Sequence, residues 1–368
     1  MMPLAGIALA PLLVSPPALR PSPRGSVAAE AARRPRARGR VRCSAAAASG
    51  GGGGGDAGEL SRATLLWRAA KLPIYSVALV PLTEGIANIW CCAMTNPISI
   101  LYLRLDAAVL VITWLNLSND VYDSDTGADK NKKESVVNLV GSRAVTQYAA
   151  NISLLLGFVG LFWAFAEAGD VRFIFLVICA IACGYVYQCP PFRLSYRGLG
   201  EPLCFAAFGP LATTAFYFSN SIRSISSGIM LLPLNKTVIA SSILVGLTTT
   251  LILFCSHFHQ IDGDRAVGKM SPLVRIGTKA GARLVTLGIV TLYTLLVAFG
   301  ITKCLPSSCI VLGALTLPLG KWVVDYVLKN HDDNSKIFMA KYYCVRLHAL
   351  FGMALASGLV LARNGVLL

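Results

Sequence analysis

Apolar and polar positions in this chain fall into long blocks rather than the short alternations of a soluble helix or strand. From residue 74 onward there are nine apolar blocks, at 74–94, 98–118, 146–168, 171–188, 199–219, 237–258, 284–302, 308–328 and 343–363. Each is near the roughly 20 residues a membrane-crossing helix needs. The pattern predicts an all-α integral membrane protein of nine transmembrane helices. Arg104 and Asp106 interrupt the second block, and Lys321 and Asp325 the eighth. Charge within hydrocarbon is costly and usually faces a partner or a polar cavity. Lys321 and Asp325, four residues apart on a helix, are expected to pair.

The connections after blocks two, four, six and eight all return to the side of the N-terminus. They carry most of the loop cations, among them Lys130, Lys132, Lys133, Arg193, Arg197, Arg265 and Lys269. The opposite connections offer little beyond Arg172, Arg223, Lys236 and Lys303. The positive-inside rule makes the cation-rich face the cytoplasm-equivalent one, which in a plastid is the stroma.

Composition agrees with the blocks. Of 368 residues 55% are hydrophobic and 14% charged, against about 25% charged in ordinary soluble domains. The formal net charge is +15, but much of it is local. Residues 1–45 hold eight arginines against the single acid Glu30, among many Ala, Pro and Ser. Such a segment is expected to be a plastid transit peptide, here 1–48. The glycines at 50–55 mark a flexible linker, 49–64, leaving 65–368 as the membrane domain. Topology and an anionic substrate account for the remaining positive charge, so no nucleic-acid partner is expected. The eleven cysteines lie mostly in apolar blocks, and no paired CxxC motif among them suggests zinc.

The acidic residues gather at helix ends. In "NLSNDVYDSDTGAD", residues 116–129, a helix continuing from block two puts Asn116, Asp120 and Asp123 on one side, with Asn119 beside them. Gly127 ends the helix, and Asp129 can fold back. Carboxylates held this close repel unless a cation neutralises them. Magnesium suits such ligands and commonly joins one or two carboxylates to a substrate phosphate. An EF-hand is excluded by Ala128 at the loop position that requires glycine.

A second cluster, "HFHQIDGDRAVGK" at 257–269, follows block six on the same face. Asp262 and Asp264 stand beside Arg265 and Lys269. Two acidic sites with adjacent bases point to two metal positions around one polyanion such as a diphosphate. His257 and His259 suit either metal ligation or a hydrogen-bonded structural role. Between the clusters, "YVYQCPPFRLSYRGLGEP" at 185–202 brings Tyr185, Arg193 and Arg197 to the same face. Arginines match phosphate through their forked donors, although positive-inside topology alone also places cations here.

Together the two motifs resemble those of the UbiA-type intramembrane prenyltransferases, over roughly residues 65–365. "YQCPPFRLSYRGLGE" further resembles the branch that prenylates 1,4-dihydroxy-2-naphthoate. The resemblance implies a UbiA-like bundle enclosing one central cavity. It implies transfer of a phytyl or other polyprenyl group from its diphosphate to 1,4-dihydroxy-2-naphthoate, with loss of CO2, towards phylloquinone. Homogentisate and chlorophyllide are the alternative acceptors. Carried over by position, Asp120, Asp123, Asp129 and Asp264 are expected to hold Mg2+, with Asp262 added from the residues themselves. Asp120, Asp123, Asp264 and Lys269 are the expected catalytic residues. Asn116, Asn119 and Arg265, by position, and Tyr185, Arg193 and Arg197, from the loop between the motifs, are expected to bind substrate. Gln260 stands where the family usually has an acid, and Asp262 is the expected replacement. A secondary transporter is the rival class. It would concentrate its site at the bilayer midplane, whereas both clusters lie at one surface.

Overall fold

The structure, a computed structural model, describes residues 75–87, 98–129, 132, 135–220, 222–224, 228–230 and 232–363. The expected transit peptide and linker lie outside these residues. Each of the nine apolar blocks contains helix among the described residues. In chain order the first helices are α1 (Ser76–Ala87), α2 (Ile98–Thr126), α3 (Val136–Val140), α4 (Arg143–Ala168) and α5 (Val171–Gln188). Then come α6 (Gly200–Ala206), a π-helical segment (Ala207–Thr213) and α7 (Thr214–Phe218). They are followed by α8 (Lys236–His257), α9 (Ile261–Ala266), α10 (Pro272–Ile276) and α11 (Thr278–Ile301). The chain closes with α12 (Ser307–Ala314), α13 (Leu317–Asn330), α14 (Asn334–Ile337) and α15 (Ala340–Arg363). Two three-residue strands, Ile222–Ser224 and Gly228–Met230, pair antiparallel in the connection before α8.

By length and apolar composition alone, five helical stretches among the described residues can cross a membrane, or six if α12 and α13 count as one span bent by 44°. Block five is not one regular helix. Pro210 lies within its π-helical segment, where a proline has no N–H to give the preceding turn. The turn widens around the defect, as π-bulges do. Gly209 then packs directly on α8. A side chain there would come within 2.6 Å of the Ser242 carbonyl oxygen and 2.7 Å of Gly246 Cα. Small residues of this kind let membrane helices cross closely.

α8 is the central helix, with most of its length buried. From Ser241 onward its Ser and Thr hydroxyls are satisfied internally by carbonyls of the preceding turn, as from Ser241 to the Thr237 oxygen at 2.9 Å. α4, α5 and α11 instead turn most of their residues outward. Leu155, Phe162, Trp163, Phe175, Leu287 and Val290 are all exposed. In water this surface would be unfavourable; in lipid it is the solvated face.

Arg104, on α2, is buried with both terminal nitrogens partnered, while its Nε has no hydrogen-bond partner among the described residues. Its guanidinium donates to Asn220 Oδ1 and to the Ser219 carbonyl, both at 2.6 Å. The expected Lys321–Asp325 pair does not form. Both side chains are exposed on α13, so no shared burial drives them together.

Candidate active site

The first motif is helical up to Thr126, and Gly127 leaves the helix with φ +82°, a left-handed conformation that glycine adopts without strain. The chain then folds back as expected. The Asp129 N–H donates to the Asp123 carbonyl at 3.3 Å. Asp120, Asp123 and Asp129 are all buried. Asp120 accepts from the Val136 N–H at 3.1 Å, at the start of α3.

Lys132 neutralises this group. Its Nζ lies 3.5 Å from Asp120 Oδ1 and 3.1 Å from Asp129 Oδ2. Burial opposes the ammonium charge, but Asp120, Asp129 and Asp123 outweigh that and hold the lysine pKa above its ordinary value. Burial raises the Asp129 carboxyl, against the pull of Lys132. Asn138 fixes the loop by donating to the carbonyls of Asp129 and Lys132, both at 2.9 Å.

The second motif meets the first through Lys269. This buried ammonium lies 3.4 Å from Asp264 Oδ1 and 3.9 Å from Asp123 Oδ2. Its backbone N–H donates to the Asp264 carbonyl at 2.8 Å, and Gly268 turns the chain with φ +74°. Asn119 donates to Asp123 Oδ2 at 3.0 Å.

The intervening loop completes the contact. Tyr196 donates to Asp123 Oδ1 at 3.0 Å and shares a 2.6 Å hydrogen bond with Thr126. Burial and the charge of Asp123 both push the Tyr196 hydroxyl up, so it stays protonated as a donor. Its carbonyl accepts from the Met270 N–H at 2.9 Å. Arg193 adopts φ +42° and places its guanidinium 6.0 Å from the Tyr122 ring and 5.9 Å from Tyr196. Its buried Nε has no partner among the described residues.

A cavity of about 290 Å³ opens beside these groups. Its walls are mainly apolar, from Ala108, Ile112, Leu161, Val177, Phe208, Phe216 and Ile252 among others. Its polar end is formed by Asn116, Asn119, Lys132, Tyr187, Gln188, His257, Gln260, Lys269 and Lys341.

The structure thus brings together Asp120, Asp123, Asp129, Asp264, Lys269, Asn116 and Asn119, with Arg193 near the Tyr196 ring. Four other residues fall elsewhere. Tyr185 is exposed and donates to the Pro190 carbonyl at 3.3 Å; Tyr187 lines the cavity in its place. Arg197 is exposed, and its carbonyl accepts from Arg275 at 2.7 Å. Arg265 is exposed. Asp262 is exposed too and accepts from Asn334 at 3.1 Å, while Gln260 reaches the cavity wall. Two residues apart on the short helix, Asp262 points about 200° away from Asp264 and so misses the buried face that Asp264 occupies. The motif spacings did not reveal Lys132, Tyr187 or Tyr196. Tyr196 lies in the SYRGLGE stretch, the one signal that marked it. His259 is half-buried with its ring against Phe338, the centroids 4.9 Å apart.

Among the described residues no three acidic, histidine or cysteine side chains converge into a closed metal site. The carboxylates instead meet in pairs across a lysine, and the buried Asp264 Oδ2 has no hydrogen-bond partner among the described residues. Paired carboxylates, one with an unsatisfied oxygen, beside an open cavity fit a magnesium ion that takes its remaining ligands from water and a phosphate.

Residues 85–345 match the UbiA prenyltransferase family. The chain is 61% identical over 305 residues to a protein of Arabidopsis thaliana named 2-carboxy-1,4-naphthoquinone phytyltransferase, chloroplastic, covering 83% of this chain and 79% of the relative. It is 42% identical over 294 residues to the 2-carboxy-1,4-naphthoquinone phytyltransferase of Synechocystis sp., covering 80% of this chain and 92% of that one. A UbiA homolog from Archaeoglobus fulgidus superposes with a TM-score of 0.51 at 12% identity, and a digeranylgeranylglyceryl phosphate synthase with 0.50 at 15%. Each covers 80% of this chain and 99% of the solved chain; at such identities the likeness is one of fold. The family match and the identities to both relatives agree, and the chain belongs to the UbiA prenyltransferase family.

Proposed function

We propose that this protein transfers a phytyl group, or a similarly long polyprenyl group, from its diphosphate to 1,4-dihydroxy-2-naphthoate with loss of CO2. The observation that carries the reading is the cavity: apolar along its walls and charged at one end, where both acidic motifs meet. An isoprenoid tail fits the former and a diphosphate the latter. The relatives named as naphthoquinone phytyltransferases support the acceptor class.

Lys269 and Lys132 present ammonium groups to the departing diphosphate, and Arg193 adds a forked donor at the rim. Asn119 and Tyr196 hold Asp123 in place. Asp120, Asp123, Asp129 and Asp264 would hold Mg2+, which when bound neutralises the charge that develops on the leaving group. Departure leaves an allylic cation at the tail's first carbon, and the apolar walls keep water from it. The electron-rich naphthoate ring is the nucleophile. An arginine-rich leader and a chloroplastic relative support residence in a plastid membrane, with the motif loops on the stromal side.

The test is reconstitution of the full chain in lipid with phytyl diphosphate, a panel of aromatic acceptors and Mg2+. The expected result is a prenylated, decarboxylated naphthalenediol, abolished by a chelator and restored by excess magnesium. Turnover of homogentisate or chlorophyllide in its absence would overturn the acceptor assignment.

A further inference from the structure

Glu201 and His257 form a buried pair that diphosphate chemistry does not use. Glu201 stands in the first turn of α6 and His257 is the last residue of α8. The imidazole Nδ1 lies 3.0 Å from Glu201 Oε1, with the side chains 4% and 10% exposed respectively. His257 lines the cavity, and among the described residues none hydrogen-bonds its Nε2. The other Glu201 oxygen, Oε2, is buried without a partner among the described residues. A carboxylate behind an imidazole fixes the tautomer with the proton on Nδ1 and leaves the lone pair on the far nitrogen.

The carboxylates of the two acidic motifs are committed elsewhere. Asp123 and Asp264 face Lys269, and Asp120 and Asp129 face Lys132. Lys341 lines the same cavity, and Asp264 and His259 lie within electrostatic reach of His257. Of the groups on the wall, the imidazole is the one that carries a lone pair on one ring nitrogen and an N–H on the other, so that it can take a proton and hand it back.

We propose that Glu201 and His257 form a proton relay for a hydroxyaromatic acceptor, with His257 as the catalytic residue and Glu201 as the positioning residue behind it. The inference rests on the acceptor class proposed above. His257 Nε2 takes the proton of the ring hydroxyl next to the carboxylate. The O–H electron pair becomes a C=O bond as the ring carbon bearing the carboxylate bonds to the tail's first carbon. The tail's C–O bond breaks with its pair going to diphosphate. The ring is now a β-keto carboxylate. Its C–CO2 bond breaks with the pair returning to the ring and its oxygen, CO2 leaves, and imidazolium returns the proton to that oxygen. No proton is gained or lost over the cycle, and no oxidant is needed.

The test uses the full chain in lipid vesicles with His257→Gln and the near-isosteric Glu201→Gln. Phytyl diphosphate binding is read by thermal stabilisation, and product formation as a function of pH. His257→Gln is expected to bind the diphosphate as wild type does and to lose about 100-fold or more in product formation. Its residual rate should climb steadily with pH, because solution then supplies the ionised acceptor. Glu201→Gln should lose about tenfold and shift the acidic limb of the profile. A wild-type rate and profile in His257→Gln would overturn the relay. So would parallel loss of diphosphate binding and product in both variants, which marks a scaffold. Failure of the wild type to use any naphthoate acceptor sinks the acceptor assignment instead, and the same variants are then scored on whichever hydroxyaromatic the wild type does prenylate.

Discussion

Lys269 touches a carboxylate from each acidic motif, so its removal leaves two buried like charges facing each other. Lys269→Met is expected to abolish turnover and to lower stability by about 3–5 kcal/mol, read as the thermal midpoint in detergent. Lys269→Arg should keep most of the stability. Asp123→Asn should cost more than about 100-fold in turnover while the protein stays folded, since the amide still offers Tyr196 an acceptor; near-wild-type turnover at matched expression would remove Asp123 from the chemistry. Asp262→Asn should leave the magnesium requirement unchanged, because its carboxylate points outward to Asn334. Gln260→Glu, facing the cavity, should lower the magnesium concentration needed for half-maximal rate. The reverse ranking in a magnesium titration would place the second metal on the outer face. The sequence revealed the acids because their spacing on a helix is stereotyped. It could not reveal which of two tyrosines faces inward. Residues two apart on a helix point about 200° apart, so either Tyr185 or Tyr187 must face away, and only packing chooses. Lys132 was hidden differently, since a lysine in a cation-rich loop reads as topology.

At the scale of elements, hydropathy finds where apolar helix lies but not where it breaks. Block five looks continuous, yet it is divided by the π-helical turn around Pro210, and block eight bends between α12 and α13. Both breaks follow from backbone chemistry that a composition window averages away. The close crossing of Gly209 on Gly246 is the element contact most exposed to substitution. Gly209→Val would drive a side chain into the α8 backbone, and a loss of about 1–3 kcal/mol is expected. A thermal midpoint unchanged from wild type would mean that the two helices can separate without cost. The same crossing sets the position of α8, whose last residue is His257.

Across the whole molecule, three chain segments far apart in sequence meet at one end of the bundle: 116–129, 193–198 and 257–269. Cysteines placed at the exposed positions 197 and 262, in a background depleted of native thiols, should react with an impermeant reagent from the same side of sealed vesicles. Labelling from opposite sides would contradict the shared site. The parity of the apolar blocks already put these loops on one face, although it could not tell that they touch. The contacts that join them also have a consequence for the order of assembly. Asp123 meets the Lys269 ammonium only when a residue from far later in the chain docks, whereas Lys132 lies close enough in sequence to serve Asp120 and Asp129 by local folding. The two halves of the acidic cluster therefore mature by different routes, one within a single loop and the other only once the chain beyond the sixth apolar block is in place.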